Sequence, residues 1–346
     1  MGALKKPPLR MRIAVLGAGA WGTALAQVFS ASHEVCLWGR ETDNIETMRR
    51  ERENKLFLSG IALRPELEFN SDFNQAAQGA DLHLITTSLA GLRETTRALR
   101  NLQQTSPAAP LIWACKGFEA GSGKLPHEII AEEMGKDAVC GVLTGPSFAA
   151  DVAHGLPTAV TLASSNPGFA TDWVYKLHQP KFRIYANDDV IGCETGGALK
   201  NVIAIATGVA DGMGYGLNTR AAIITRGLAE IARLTNALGG RPETLMGLAG
   251  MGDLILTCTG DLSRNRQVGL ALAMGKKLPD ILAELGHVAE GVSTAREITQ
   301  LSHRLGVDMP ICTGVGALLH GGANAHDLVE QLLARDPKQE REHLES

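Results

Sequence analysis

Short apolar runs alternate with amphipathic stretches over the first half of the chain. The apolar runs are bounded by Gly, Pro, Asp or Ser, as buried strands usually are, and they occupy residues 12–16, 34–38, 82–86, 111–115, 140–144 and 158–163. Helical periodicity fills the intervals, for example at residues 22–30, 44–53 and 125–134. Strands that alternate with helices in this way form a parallel sheet covered on both faces. The pattern therefore predicts a doubly wound α/β domain.

The pattern changes near residue 188, where strand-like runs fade and helical periodicity takes over. Asn187 is the predicted N-cap of the first long helix. The predicted helices cover residues 188–212, 218–238, 241–247, 263–274, 278–284, 291–305, 311–320 and 325–333. We therefore expect an α/β domain over residues 10–187, an all-helical domain over residues 188–335 and a charged tail over residues 336–346.

Composition limits the classes of function. The 346 residues are enough for two domains with separate cores. A formal net charge of −4 argues against a nucleic-acid-binding surface over the whole chain. No apolar stretch reaches about 18 residues, so we expect no membrane insertion and a cytoplasmic location. The six cysteines form no CxxC pair and the ten histidines are scattered, so no metal site is predicted.

A glycine motif follows the first predicted strand directly and opens the first predicted helix. Residues 17–22 read GAGAWG, which is the GxGxxG fingerprint of Rossmann-type dinucleotide-binding domains. In that motif Gly17 allows the tight turn, Gly19 lets the backbone approach a pyrophosphate, and Gly22 lets the helix and strand pack closely. Ala20 and Trp21 lie beside the expected pyrophosphate, at the positive end of the helix dipole.

The end of the second predicted strand bears on the choice between NAD and NADP. Arg40 stands where a 2′-phosphate would lie, and Glu41 follows it. Arginine suits phosphate by its charge and its forked geometry. This favours NADP, while NAD remains open, as does the interpretation of Arg40 as a solvated loop cation.

Two lysines are candidates for catalysis of carbonyl chemistry. Lys200 lies in an otherwise apolar helix, where loss of solvent would lower the pKa of its ammonium group towards the working range of an acid or base. Gly196 and Gly197, one turn earlier, would let a ligand come close. Lys116 follows the fourth predicted strand, where a fixed ammonium could polarise a carbonyl. The alternatives are a snorkelling Lys200 and a solvated Lys116.

Other polar residues suit the remainder of a substrate site. Asp253 lies in a glycine-flanked turn, where it could hold the ammonium of Lys200 and substrate hydroxyls, cap a helix, or do both. Ser263, Arg264 and Asn265 suit an anionic phosphate, since Arg264 offers a charged forked donor beside a hydroxyl and an amide. A helix that begins near Ser263 would add its positive end.

These motifs, taken in order, resemble those of the bacterial-type NAD(P)-dependent glycerol-3-phosphate dehydrogenase family. The motifs that match are GAGAWGTALA at 17–26, WACKG at 113–117, TGPSFA at 144–149, GLPTA at 155–159, GGALKNVIAI at 196–205, TRGLAE at 225–230, GMGDLILTC at 250–258, SRNR at 263–266 and EGVSTA at 290–295. They span roughly residues 12–320. The resemblance implies reversible reduction of dihydroxyacetone phosphate to sn-glycerol 3-phosphate for phospholipid synthesis. It also implies a helical domain similar to that of 6-phosphogluconate dehydrogenase, and a homodimer is common among such proteins.

The resemblance further implies roles for individual residues. Lys200 would be the proton donor in reduction and the proton acceptor in oxidation. Lys116 and Arg264 would each contact both cofactor and substrate. The other implied substrate contacts are Gly145, Ser147, Asp253, Ser263 and Asn265, and the other implied cofactor contacts are Ala149, Val288 and Glu290. The chain departs from the family at Thr87, where proline is common in a loop that approaches the nicotinamide ribose.

Two other functions would fit parts of the same pattern. A related two-domain hydroxyacid dehydrogenase or ketopantoate reductase shares the nucleotide domain and a lysine on a long helix. The SRNR cluster argues against it, because a carboxylate substrate needs no such phosphate site. A non-catalytic dinucleotide-binding sensor would have no need of Lys116 and Lys200, and would show no turnover.

Overall fold

The described residues form two compact units. The computed structural model describes residues 10–104, 107–285 and 289–333. The first unit contains the described residues up to Cys115 together with residues 129–143 and 147–188. The second unit contains residues 116–128 and 144–146 and the described residues from Asp189 onwards.

An eight-stranded sheet organises the first unit. Its order is β3-β2-β1-β4-β5-β6-β7-β8, and β1 pairs in parallel with both β2 and β4. The order 3-2-1-4-5-6 is that of dinucleotide-binding folds, so the predicted doubly wound class is confirmed. The strands are β1 Arg12–Leu16, β2 Glu34–Trp38, β3 Glu68–Asn70, β4 Leu82–Ile85, β5 Leu111–Trp113, β6 Cys140–Thr144, β7 Thr158–Ala163 and β8 Phe182–Asn187.

The two strands that the hydrophobic pattern missed are the edges of the sheet. β3 has only three residues, and β8 alternates buried and exposed positions instead of forming a continuous apolar run. An edge strand is solvated on part of its surface, so it loses the signal of a fully buried strand. The helices associated with the sheet are α1 Ala20–Phe29, α2 Thr42–Glu51, α3 Phe73–Ala77, α4 Leu89–Gln103, α5 Pro126–Met134, α6 Ala149–Ala153 and α7 Phe169–Lys176.

A long buried helix, α8, is the centre of the second unit. It spans Val190–Gly212, and nineteen of its 23 residues are buried. A helix that is apolar on all sides must be surrounded by other elements. The α-helices around it are α9 Gly216–Ala237, α10 Asp253–Thr259, α11 Arg264–Ala273, α12 Leu278–Leu285, α13 Glu290–Leu305, α14 Pro310–His320 and α15 Ala325–Leu333.

The predicted N-cap of α8 was wrong. Asn187 is the last residue of β8, where it pairs with Ala163. The N-cap is Asp189, whose Oδ1 accepts the Gly192 N–H at 2.9 Å. Its Oδ2 accepts from the Arg241 N–H at 2.9 Å and from the Thr244 hydroxyl at 2.6 Å. One carboxylate therefore joins the start of α8 to the segment that follows α9.

That segment differs from the predicted helix over residues 241–247. Pro242–Met246 is a short 3-10 helix, and Leu248–Gly252 forms a π-helical turn that leads directly into α10. The π-helical turn was not predicted, because three glycines within residues 247–252 read as a loop, and a helix at α10 was considered only in the capping alternative for Asp253. π-Helical turns are often found at functional sites.

Helix α11 lies unusually close to α8. A Cβ atom at Gly269 would come within 2.1 Å of the Ile205 carbonyl oxygen, and one at Gly208 within 2.1 Å of the Arg266 carbonyl oxygen. Only glycine permits this approach, so the pair fixes where the N-terminus of α11 lies along α8. None of the helices in the described part of the chain combines the length and apolarity that a membrane crossing requires.

We expect Asp189→Ala to lower the free energy of unfolding by about 2 kcal/mol, because the substitution removes an N-cap and leaves two further donors without their acceptor. The midpoint of urea unfolding measures this. Asp72→Ala is the matched control: Asp72 caps the five-residue α3 and accepts one hydrogen bond, from the Gln75 N–H, among the described residues, so its effect should be smaller. Equal midpoints for the two variants would contradict the role of Asp189.

Candidate active site

A buried carboxylate in the second unit binds two lysines. Asp253 Oδ1 accepts from Lys200 Nζ at 2.5 Å, and its Oδ2 accepts from Lys116 Nζ at 2.6 Å. The exposed fractions of these side chains are 1% for Asp253, 11% for Lys200 and 15% for Lys116. The structure thus brings together the three residues predicted to be catalytic, and the snorkelling and solvated alternatives for the lysines are wrong.

Burial and charge determine how this cluster titrates. Burial lowers the pKa of Lys200 to about 8; the Asp253 carboxylate opposes this change and the Lys116 ammonium adds to it. Burial alone would raise the pKa of Asp253, but the two ammonium groups outweigh it and hold that pKa below its usual range. Near neutral pH Asp253 is therefore ionised and Lys200 is mostly protonated. The cluster can release a proton from Lys200 more readily than an ordinary lysine could.

The backbone positions Asp253 through the π-helical turn. Asp253 is the first residue of α10, and the N-cap is Gly252, so the capping interpretation of Asp253 is wrong. The Thr257 hydroxyl donates to the Asp253 carbonyl oxygen at 2.6 Å. The Asp253 carboxylate therefore does not cap α10, and it accepts hydrogen bonds from the two lysines.

Two glycines of α8 make room for neighbouring protein segments. A Cβ atom at Gly196 would lie 2.6 Å from the carbonyl oxygen of Ala249 in the π-helical turn. One at Gly197 would lie 3.0 Å from Thr144 Oγ1 and 3.4 Å from Lys116 Cδ. In the structure these glycines let the segments that carry Asp253 and Lys116 reach the helix of Lys200.

The predicted phosphate cluster lies at the start of α11. Ser263 is the N-cap, and its Oγ accepts the Arg266 N–H at 3.3 Å. Arg266 is neutralised by Asp211, with Nη2 2.8 Å from a carboxylate oxygen. Arg264 is exposed and makes no ion pair with any residue that the structure describes. A helix N-terminus beside an uncompensated guanidinium suits an anion.

Asn265 is buried and lies deeper than Arg264. Its Nδ2 donates to Asn201 Oδ1 at 3.0 Å, and Asn201 Nδ2 donates to Glu290 Oε2 at 3.2 Å. Glu290, predicted to contact the cofactor, is the first residue of α13. Sequence reasoning missed Asn201, although its position directly after Lys200 within the GGALKN motif was a usable signal.

The glycine loop of the first unit fits a dinucleotide. Gly17 has φ +130°, and a Cβ atom there would lie 2.7 Å from the backbone of Thr86. A Cβ atom at Gly22 would lie 1.9 Å from the Gly17 carbonyl oxygen, whereas one at Gly19 would meet nothing within 4 Å. Gly19 is also the N-cap of α1, with no side-chain cap. The open side of the loop is therefore the side from which a pyrophosphate would approach.

The remaining predicted contacts lie on several elements. Arg40 is 80% exposed, and its Nη2 lies 3.6 Å from Glu41 Oε1. In the first unit, Ala20 and Trp21 form the first turn of α1, Ser147 precedes α6 and Ala149 begins it. Gly145, in the second unit, has φ +138°. Val288 lies outside the described residues.

The loop in which the chain departs from the family that it resembles is closely packed. Thr87 follows β4 and lies against Gly91. Its Oγ1 is buried and has no hydrogen-bond partner among the residues that are described. Among all of the residues that the structure describes, no group of three or more His, Cys, Asp or Glu side chains is placed to hold a metal ion.

Family models match both halves of the chain. A model described as the N-terminus of NAD-dependent glycerol-3-phosphate dehydrogenase matches residues 12–170, and the corresponding C-terminal model matches residues 189–330. The chain is 65% identical to glycerol-3-phosphate dehydrogenase [NAD(P)+] of Aromatoleum aromaticum, over 95% of this chain and 100% of that protein. The identity to the protein of the same name from Dechloromonas aromatica is 59%, over 95% and 99% of the two chains.

A solved structure agrees with these matches. The crystal structure of glycerol-3-phosphate dehydrogenase from Coxiella burnetii superposes with a TM-score of 0.89 at 40% identity. The alignment covers 95% of this chain and 100% of that chain. Likeness at this level extends through both units.

The glycine loop predicts a contrast between two substitutions. Gly19→Ala should leave the thermal unfolding temperature nearly unchanged, because Gly19 has an ordinary negative φ and open space beside it, and should weaken NAD(P)H binding roughly tenfold or more. Gly22→Ala should lower both stability and binding, since its methyl group would meet backbone. Fluorescence titration with NADPH and thermal melts measure the two effects. Unchanged binding by Gly19→Ala would contradict the assigned approach of the cofactor.

Proposed function

Because the chain belongs to the NAD-dependent glycerol-3-phosphate dehydrogenase family, we propose that it interconverts dihydroxyacetone phosphate and sn-glycerol 3-phosphate by way of the buried Lys200–Asp253–Lys116 cluster. It is an NAD(P)-dependent oxidoreductase that acts on a CH–OH group. The family named from the sequence motifs is confirmed. The single observation that carries the proposed mechanism is the buried Asp253 carboxylate that accepts from Lys200 Nζ at 2.5 Å and from Lys116 Nζ at 2.6 Å.

Lys200 handles the proton in the proposed mechanism. When bound at the glycine loop, a nicotinamide cofactor would supply the hydride for the carbonyl carbon. In reduction the ammonium of Lys200 donates a proton to the carbonyl oxygen, and in oxidation the neutral amine takes it back from the hydroxyl. An acid whose pKa lies near the working pH serves both directions.

Lys116 and Asp253 prepare the site for that proton transfer. The ammonium of Lys116 attracts the negative charge that develops on the carbonyl oxygen. Asp253 holds both Nζ atoms within 2.6 Å of its oxygens. The two lysines therefore stay in place without losing their combined excess of positive charge.

The N-terminus of α11 would take the substrate phosphate. Arg264 supplies the uncompensated guanidinium, and the helix end supplies backbone N–H groups beside Ser263. The other proposed substrate contacts are Gly145, Ser147 and Asn265. Besides the glycine loop, the proposed cofactor contacts are Ala20, Trp21, Arg40, Lys116, Ala149, Arg264, Val288 and Glu290.

Three further properties follow from the likeness to the family and are proposed on that basis. The reaction would run towards sn-glycerol 3-phosphate and supply glycerophospholipid synthesis. The enzyme would work in the cytoplasm, which cell fractionation can test. A homodimer would be the functional form, which light scattering coupled to size-exclusion chromatography can test.

A substrate panel tests the proposed function. NADPH or NADH oxidation is measured with dihydroxyacetone phosphate, unphosphorylated dihydroxyacetone and ketopantoate. We expect turnover of the phosphorylated ketone alone. Turnover of ketopantoate instead would contradict the proposal and indicate the related reductases, and cofactor binding without any turnover would indicate a sensor.

Lys200→Ala should reduce turnover by roughly two to four orders of magnitude, because it removes the proton donor. Cofactor affinity should stay near that of the wild type, since the glycine loop is untouched. Lys276→Ala is the matched control, because Lys276 is a half-exposed lysine of the same unit that pairs with Glu284. Near-normal turnover by Lys200→Ala would show that the acid lies elsewhere, with Lys116 the next candidate.

Arg40→Ala should raise KM for NADPH roughly tenfold and leave KM for NADH nearly unchanged, because only NADPH carries the phosphate that the guanidinium would bind. Steady-state kinetics with each cofactor measure the ratio of KM for NADPH to KM for NADH. Arg50→Ala is the matched control, since Arg50 is an exposed arginine of α2 paired with Glu51. Equal changes in KM for NADPH and for NADH in Arg40→Ala would contradict the preference for NADP.

A further inference from the structure

A buried asparagine that follows α2 contacts the glycine loop of the first unit. The side chain of Asn54 has an exposed fraction of 0%. Its Nδ2 donates to the Ala18 carbonyl oxygen at 2.9 Å and to Thr23 Oγ1 at 2.8 Å. Ala18 is the second residue of the GAGAWG motif, and Thr23 lies in α1. Asn54 therefore holds the cofactor motif from a position 36 residues further along the chain.

The orientation of the Asn54 side-chain amide is determined by two of its partners. The Ala18 carbonyl oxygen can only accept, so the nitrogen of Asn54 must face it. The Phe57 N–H can only donate, and it donates to Asn54 Oδ1 at 3.2 Å. The two requirements agree. Because a buried amide with these partners has one arrangement, Asn54 is a rigid support for the Ala18 carbonyl group.

The segment that carries Asn54 is itself fixed to α1. We call residues 52–64 the Asn54 segment. Gln27 of α1 accepts the Arg64 N–H at 2.9 Å through its Oε1, and its Nε2 donates to the Ala62 carbonyl oxygen at 3.1 Å. The side chains of the segment that are buried in the core of the first unit are Leu58, Ile61 and Leu63. The segment is thus anchored to the helix that the glycine loop opens.

The hydrogen bond from Asn54 sets the direction of the peptide group between Ala18 and Gly19. A trans peptide is planar, so the carbonyl group of Ala18 and the N–H of Gly19 point in opposite directions. With the carbonyl group turned to the buried asparagine, the Gly19 N–H faces away from it. This N–H donates to none of the residues that the structure describes, and a Cβ atom at Gly19 would meet nothing within 4 Å.

We infer that Asn54 is a positioning residue for the cofactor: by holding the Ala18 carbonyl oxygen, it presents the Gly19 N–H to the pyrophosphate of NAD(P)H. A donor that already has the bound orientation loses little freedom when the ligand arrives, so Asn54 would add affinity without touching the cofactor. The inference rests on the cofactor-binding part of the proposed function. It does not depend on which ketone the enzyme reduces.

Asn54→Asp tests the contact with Ala18 at nearly constant side-chain size. The new carboxylate can still accept from the Phe57 N–H, but in its ionised form it has no hydrogen to offer the Ala18 carbonyl oxygen. We expect Kd for NADPH and for NADH to rise roughly tenfold. Isothermal titration calorimetry without a ketone measures Kd, at a temperature well below the unfolding midpoint of each variant.

Asn54→Ala is the second variant, and it serves if Asn54→Asp does not fold. It removes both donors without adding a charge. We expect it to raise Kd for both cofactors at least about threefold, because nothing then holds the Ala18 carbonyl oxygen. Unchanged Kd in the folded Asn54 variants would overturn the inference.

Gln27→Ala is the matched control. The side chain of Gln27 joins the Asn54 segment to α1 through Ala62 and Arg64, away from the glycine loop. We expect Gln27→Ala to lower the thermal unfolding temperature and to leave Kd for NADPH within about twofold of the wild type. A loss of affinity as large as that of Asn54→Asp would show that general loosening of the segment weakens binding, and would overturn the inference.

A double variant separates positioning from a general structural effect. Gly19→Ala already keeps the pyrophosphate away from the loop, so turning the peptide should then matter little. Adding Asn54→Asp to Gly19→Ala should raise Kd by less than about threefold, whereas independent effects would multiply in full. Full multiplication would overturn the inference. Wild-type protein that binds NADPH without turning over dihydroxyacetone phosphate would contradict the proposed reaction alone, and wild-type protein that binds neither cofactor would contradict both.

Discussion

A carboxylate buried between two ammonium groups is the interaction on which the second unit depends. Asp253 accepts from both Lys116 and Lys200, and each of the three reaches the cluster from a different segment. Gly196 and Gly197 let these segments approach α8, and the π-helical turn aims Asp253 at the lysines. The attraction within a buried ion pair offsets the desolvation of its charges only when the geometry is good and the polar atoms are hydrogen-bonded. The surrounding backbone meets that condition here.

The distribution of charge connects this interaction to chemistry. Burial makes Lys200 a stronger acid than a lysine in water, and Asp253 prevents it from losing its proton altogether. Arg266 is neutralised by Asp211, whereas Arg264 at the start of α11 keeps its charge available. The second unit thus places a buried lysine and an unpaired guanidinium on helices that pack against one another. A phosphorylated ketone needs both.

The sequence patterns predicted the class of the fold because buried strands and glycine turns leave strong local signals. The edge strands β3 and β8 were not predicted because their exposed positions interrupt the apolar run that marks a buried strand. Asn187 was the wrong N-cap because tertiary pairing drew it into β8, which left Asp189 to cap α8. Chemistry-bearing residues such as Lys200 were recognisable by type and motif. Contacts between distant segments were not, since nothing local in the chain announces that Gly196 meets a carbonyl or that Asn201 meets Glu290.

The pH dependence of dihydroxyacetone phosphate reduction by the wild-type enzyme tests the central claim most directly. If the ammonium of Lys200 donates the proton, kcat is level at lower pH and falls through a pKa of about 8. The fall approaches about tenfold per pH unit above that point. A kcat that stays level to about pH 10 would match an ordinary lysine and would contradict the account.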